Sequence, residues 1–289
     1  FNKAHAVCYA IVAYQTAWFK CHYPREYMAA LLTSVLDSQG KIAEYIAECR
    51  SLGIRLLPPD INQSGPDFTV AGRDIRFGLA ALKGVGRGFT NAVLARRQAD
   101  GPFTSFPDFC QRLLDEDLNK RVLESLIRAG AFDAMGVRRS QLLDAYEQLI
   151  DSLTRNRRKN LEGQFDLFSL GQEKPEPVEL VLRDLPEFSQ EELMTMEKEV
   201  TGLYLSGHPM DAYRDTVRAQ GAVPIASVLE DFAQEEGPTQ FQDGQRILLA
   251  GVVAAAKTKT TKNNSLMAYV TLEDDTGSLE LLVFSRVLE

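Results

Sequence analysis

Apolar residues recur at positions 4, 7, 8, 11, 14 and 18, the spacing of one helical face, and predict a first helix that ends before Pro24. Tyr27, Ala30, Leu31, Ser34 and Val35 carry a second helix. Ile42, Tyr45, Ile46 and Cys49 mark a third, with Gly53 placed to close it. "IRLLPPDIN" reads as a short strand stopped by Pro58–Pro59, and "DFTVAGRDIRFGL" as a hairpin around Gly72. Helical spacing returns over residues 78–160, with breaks at Gly101–Pro102 and Gly130. Residues 161–190 hold Pro175, Pro177 and Pro186 among charges and read as an extended linker. An acidic helix, "SQEELMTMEKEVTGLYL", starts from a capping box of Ser189 and Glu192. From Arg246 the pattern turns to strands, "RILLAGVVAAAKTKT" and then "SLMAYVTLEDDTGSLELLVF", the last two joined at Asp275–Thr276–Gly277.

A chain of 289 residues should hold about two domains. Apolar content of 45% and charged content of 25% are those of a globular protein. No apolar run approaches the ~18 residues of a membrane span, and the N-terminus has no secretion signal. It also lacks an initiating Met, so a piece of a longer, cytoplasmic protein is expected. Cys8, Cys21, Cys49 and Cys110 contain no C-x-x-C pair and read as buried reduced thiols. His5, His22 and His208 are too dispersed for a zinc set. The net charge of −8 argues against nucleic acid until its distribution is followed. Asp166 to Glu236 carries 16 acidic and 5 basic residues, and the remainder 27 basic and 24 acidic. One acidic region therefore masks a mildly basic body.

In that body, "LAALKGVGRGFTNAVLARR" places Gly84, Gly86 and Gly88 at alternate positions between an apolar helix end and an apolar-periodic helix. G-K-[ST] is missing, and G-x-G-x-x-G fails for want of a preceding strand. The stretch resembles a helix-hairpin-helix element, roughly L-x-G-[VI]-G-x-x-x-A. Glycines there let the backbone approach a phosphate, and the amides opening the next helix donate to its oxygens. Lys83, Gly84, Val85, Gly86, Arg87, Gly88, Arg96 and Arg97 form the candidate DNA contact, non-specific and salt-sensitive. A tight glycine turn between two packed helices is the alternative. "LESLIRAGAFDAMGVRRSQLL" repeats the outline without the alternating glycines and reads better as a core turn.

The linker holds "GQFDLF", an unusual load of apolar surface between charges. Gln164, Phe165, Asp166, Leu167 and Phe168 fit Q-x-x-L-F, with Leu167 and Phe168 as anchors for preformed pockets and the Gln164 amide setting register. This resembles the motif by which bacterial replication proteins grip the ring-shaped sliding clamp. A staple folding back on the preceding helix is the alternative.

Together, "FNKAHAVCYAIVAYQTAWFKCHYP", "LLPPDINQS", "IRFGLAALKGVG", "LIRAGAFD", "GQFDLF" and "GLYLSGHP" resemble, in order, the C-terminal half of the alpha subunits of bacterial DNA polymerase III, the C-family replicative polymerases. The resemblance implies a multidomain, mainly α fold with small β elements. Residues 1–75 would end the fingers, and 76–160 would form a tandem helix-hairpin-helix domain that binds DNA and clamp. The linker with the clamp motif would span 161–188, an acidic helical connector 189–244, and the start of an antiparallel OB-type barrel 245–289. Lys3 would lie near the incoming nucleotide or template. Implied partners are the clamp, primer–template duplex, single-stranded DNA at the OB-fold and other replicase subunits. Mg²⁺ would serve the parent polymerase, whose palm carboxylates have no counterpart here, so no catalytic or metal residue is assigned. Asp274–Asp275 reads as a turn. Three strands cannot close an OB barrel, so this end is expected to be poorly ordered or completed by another chain. "KTKTTKNNS" reads as a solvated or nucleic-acid-binding loop. A DNA-repair helix-hairpin-helix module without clamp binding is the competing function.

Overall fold

The computed structural model of the chain describes residues 3–36, 38–161, 180–234, 237–260 and 265–288. It divides into two compact units, Phe1–Ser206 and Gly207–Glu289, a division that falls inside the residues expected to form one acidic connector.

The first unit opens with α1 (Lys3–His22), whose apolar face, including Val7, Ile11, Tyr14 and Trp18, stays exposed. Pro24 sits in the first turn of α2 (Pro24–Ser34), where its missing N–H breaks no helical bond. That helix buries Met28, Ala29 and Leu32. In α3 (Gln39–Ser51), Ile42, Ile46 and Cys49 point inward, and Gly53, at φ 71°, closes it as expected. The strands β1 (Leu56–Leu57), β2 (Thr69–Ala71) and β3 (Asp74–Arg76) form a sheet in the order β1-β3-β2. β2 and β3 are the hairpin expected around Gly72, and β1 joins parallel to β3.

Helices α4 (Arg87–Asp100), α5 (Phe106–Leu113), α6 (Lys120–Arg128) and α7 (Arg139–Leu161) follow, with α8 (Gln190–Thr201) packed on α6. Their centre is aromatic. Phe132 meets Phe106 and Phe109 edge to face, at centroid distances of 4.9 and 5.1 Å. One apolar core runs from Met28 to Leu203, so the segments assigned to fingers, hairpins and acidic helix share it. The capping box of Ser189 and Glu192 is formed.

Two expectations are corrected here. The apolar segment before the glycines is a single 3-10 turn, Leu79–Ala81, rather than an α-helix end. Its amides are engaged elsewhere: Leu79 N–H donates to Gly65 O (2.9 Å) and Ala80 N–H to Pro66 O (3.0 Å). The four cysteines are not all buried, since Cys8 and Cys21 are exposed. Burial pushes the Cys49 thiol up to about 11 and the Cys110 thiol higher still, leaving both unreactive.

In the second unit, α9 (Arg214–Ala219) and α10 (Ile225–Phe232) precede an antiparallel sheet of β4 (Val252–Thr260), β5 (Leu266–Glu273) and β6 (Ser278–Val283), closed by the short α11 (Ser285–Leu288). Strand structure begins at Val252 rather than Arg246. Val223 N–H binds Leu248 O at 2.8 Å, so this stretch pairs with a loop instead of a strand. The described sheet is open, in the order β4-β5-β6, and closes no barrel. His208 caps the 3-10 helix Pro209–Tyr213: its Nδ1 accepts from Met210 N–H and Asp211 returns the bond. Among the described residues no helix is long and apolar enough to cross a membrane.

Candidate nucleic-acid interface

The glycine-rich hairpin is anchored by two apolar residues three positions apart. Leu82 and Val85 are buried, while Lys83, Gly84 and Gly86 to Gly88 are exposed. Two bonds hold the exposed loop from behind. Lys83 N–H donates to Val200 O (2.8 Å), and Ser125 Oγ donates to Lys83 O (2.8 Å). Behind the loop, therefore, stand α6 and α8.

The three glycines are there for different reasons. Gly84 has φ 81°, where a side chain is strained, and a Cβ would lie 3.3 Å from Arg121 Nε. Gly86 is the N-cap of α4 with ordinary angles, φ −80° and ψ 153°, and it offers no side-chain cap. Gly88 lies in the first turn. A Cβ at 86 or 88 would meet nothing within 4 Å. Neither conformation nor internal packing requires glycine at these two positions. The first amides of α4 have no intrahelical acceptor and carry the positive end of the helix dipole. Such a surface can donate to an anion that approaches closely.

The structure brings Lys83, Gly84, Val85, Gly86, Arg87 and Gly88 together but not all the expected cations. Arg87 pairs with Asp67 (2.7 Å). Arg96 and Arg97 lie roughly 14 Å further along α4. Arg96 pairs with Glu116 (3.1 Å), while Arg97 donates to the carbonyls of Ile61 (3.0 Å) and Ser64 (2.9 Å). Lys3 is exposed at the start of α1.

The second hairpin is built for packing, as the sequence suggested. Gly130, at φ 78°, leaves no room for a Cβ, which would collide with the Arg139 guanidinium. Arg139 is buried between Asp133 (2.7 Å) and Glu197 (3.0 Å). The amides opening α7 are already taken, because the Glu187 carboxylate accepts from Arg139 N–H (2.8 Å) and Ser140 N–H (3.0 Å). Burial pushes the Glu187 carboxyl upward, but the amides of Ser140, Phe188 and Arg139 outweigh it and hold it below its ordinary value. Arg138 also pairs with Asp184, and Arg183 with Asp144, so residues 183–187 are tied to the start of α7. Glu187 and Glu197 lie 47 or more residues from Arg139 and Ser140, which they hold, and nothing in the local sequence marks either role.

Gln164, Phe165, Asp166, Leu167 and Phe168 lie outside the described residues, between the end of α7 and the return of the chain at 180. Of "KTKTTKNNS", Lys257 and Lys259 lie on exposed positions of β4. The Asp274 carboxylate does not fit Mg²⁺. Asp274 Oδ1 accepts from Thr276 N–H, Thr276 Oγ1 and Gly277 N–H, and Oδ2 from Ile225 N–H, so its lone pairs are spent on the turn. Among the described residues no three His, Cys, Asp or Glu side chains cluster to hold a metal.

Residues 53–142 match a family model described as "Helix-hairpin-helix motif". The chain is 41% identical over 293 residues to DNA polymerase III subunit alpha of Thermus aquaticus, covering all of this chain and 22% of that relative. Subunits of the same name from Neisseria meningitidis serogroup B (40%, all of the chain, 24% of the relative) and Mycobacterium tuberculosis (38%, 98% of the chain, 24% of the relative) are also similar. The chain thus spans less than a quarter of the length of these curated relatives. Around a hairpin of this geometry, the full length of the chain is thus similar to a C-terminal portion of DNA polymerase III alpha subunits.

Proposed function

We propose that this chain holds primer–template duplex behind the catalytic centre of a replicative DNA-directed DNA polymerase and tethers that enzyme to the sliding clamp. The observation that carries the first half is the pair Gly86 and Gly88, glycines with no internal reason to be glycine beside unfilled amides. Amides read phosphate and not bases, so any duplex is bound and salt weakens it. The relatives' name, DNA polymerase III subunit alpha, favours a replicative role over a DNA-repair module. The first hairpin makes the contact, with Lys83 and Arg87 beside it. The second hairpin of the tandem supports it from the core.

For the second half, Gln164, Leu167 and Phe168 enter pockets on the clamp while Phe165 and Asp166 lie between them. With DNA held at the same time, tethering raises the effective concentration, so a weak peptide contact suffices. The sheet β4–β6 begins an OB-type barrel that meets single-stranded DNA, Lys3 contacts nucleotide or template, and other replicase subunits complete the assembly. Mg²⁺ belongs to the polymerase centre of the parent, which these residues do not build.

Two measurements test this. Fluorescence anisotropy with labelled duplex at two salt concentrations should show binding that weakens as salt rises; salt-independent binding, or none, sinks the DNA contact. Capture by purified clamp should be lost in Gln164→Ala and in Leu167→Ala/Phe168→Ala. Each buried anchor contributes about 1.5–3 kcal/mol, so the double change should weaken capture by a hundredfold or more. Unchanged capture would remove the tether. Primer extension with dNTPs and Mg²⁺ should give no product from this chain alone.

A further inference from the structure

We infer that Arg121, on α6, is a phosphate-binding residue of the hairpin site, joining Lys83 and the α4 amides on the sugar–phosphate backbone of a duplex. The inference rests on the duplex contact proposed above and adds a residue from an element outside the glycine motif.

Its position follows from two bonds. Asn119 caps α6 by accepting from Val122 N–H (3.0 Å), which places Arg121 in the first helical turn. Ser125 lies four residues on, on the same face, and its hydroxyl holds the Lys83 carbonyl at 2.8 Å. The stem of Arg121 therefore runs against the hairpin, with Nε 3.3 Å from where a Cβ of residue 84 would stand. That contact and the positive φ together keep position 84 free of a side chain.

Its partners, or their lack, set Arg121 apart. Every other arginine from Arg87 to Arg139 has an acceptor: Arg87, Arg96, Arg112, Arg128, Arg138 and Arg139 meet carboxylates, and Arg97 meets carbonyls. Arg121 is exposed and has none among the described residues. Its neighbour Lys120 turns to Glu147 and Asp151 on α7. A cation in the first turn of a helix is also opposed by the helix dipole. Neither capping, nor pairing, nor the dipole accounts for an arginine there. A phosphate seated on the hairpin accounts for all three observations: it supplies the missing acceptor, offsets the dipole and uses the space left open at Gly84. With Arg87 drawn to Asp67, Lys83 and Arg121 are cations beside the glycines that meet no acceptor among the described residues.

The test measures duplex affinity across a salt series for the wild-type chain, Arg121→Gln, Arg121→Lys, Arg73→Gln and Gly86→Ala/Gly88→Ala. Arg73, exposed in the β2–β3 turn, controls for net charge. Loss of one phosphate contact should lower the log–log salt slope by about 0.9 in Arg121→Gln, weaken binding roughly tenfold at low salt, and do so equally on unrelated sequences. Arg121→Lys should keep the slope and Arg73→Gln should match wild type. A slope in Arg121→Gln equal to that of Arg73→Gln, while the double glycine change still weakens binding, overturns the role of Arg121 alone. Absence of salt-dependent binding in the wild type overturns both this inference and the duplex contact. Matching thermal melts for Arg121→Gln and wild type establish that folding is not what was measured.

Discussion

Arg139 Nη2 lies 3.0 Å from Glu197 Oε1, with 6% and 1% of the two side chains exposed. The pair joins the second hairpin to α8 across 58 positions of sequence. The other oxygen of Glu197 accepts from Leu205 N–H (3.0 Å) and Ser206 N–H (2.8 Å), so one carboxylate holds three donors. Removing it takes one of two carboxylates from a buried guanidinium and leaves two amides without their acceptor. Glu197→Ala should lower unfolding free energy by about 3–5 kcal/mol, and Glu197→Gln by less, in denaturant titrations. A loss under about 1 kcal/mol in Glu197→Ala would mean the pair is not buried as described.

The glycines of the first hairpin should separate stability from binding. Gly84→Ala meets a left-handed φ and should cost about 1–2 kcal/mol. Gly88→Ala replaces glycine in a helical turn with open space around it and should leave stability unchanged or raise it by up to about 1 kcal/mol. The same change should weaken duplex binding about tenfold or more, since a charge-assisted bond contributes about 1.5–3 kcal/mol. Denaturation and anisotropy on the same variants would decide. A Gly88→Ala protein that binds as wild type defeats the close-approach argument.

Arg96 and Arg97 are adjacent in sequence and should behave differently. Arg97 bridges the carbonyls of Ile61 and Ser64, so Arg97→Ala should destabilise by about 1–3 kcal/mol. Arg96 forms an exposed pair with Glu116, and Arg96→Ala should change stability by about 0–1 kcal/mol. Equal losses in chemical denaturation would contradict the contrast.

Glu187 should make the anchoring of residues 183–187 to α7 sensitive to acid. Its folded pKa is depressed, so the proton must be bound against three amides. The stabilisation is therefore complete above the ordinary glutamate value of about 4.3 and is lost as pH falls through the lower folded value. Carboxyl carbon NMR should place the Glu187 midpoint below about 4.3, with the Ser140 amide shift following it. A midpoint above that value would show that the carboxylate does not cap α7.

Much of this chain can be read from local spacing. The face at 4, 7, 8, 11, 14 and 18 is a helix, Gly53 and Gly72 turn where expected, and Ser189 with Glu192 forms its box, because each depends on residues within a few positions of one another. The same reasoning named the glycine hairpin, since helix entry and amide exposure are properties of consecutive residues. Which cations are available to that hairpin was not legible. Arg87, Arg96, Arg97 and Arg121 look alike in a string of letters, and their roles depend on Asp67, Glu116, Ile61 and Gly84, which only folding brings near. Nor could local pattern tell that "LAAL" would form one 3-10 turn, or that Glu187 would fill the amides of the second hairpin. Periodicity reports which way a side chain faces along its own element. The pairing of Arg87 and Arg96 and the filling of the α7 amides are contacts across 20 or more positions, and they exist only once the chain has packed.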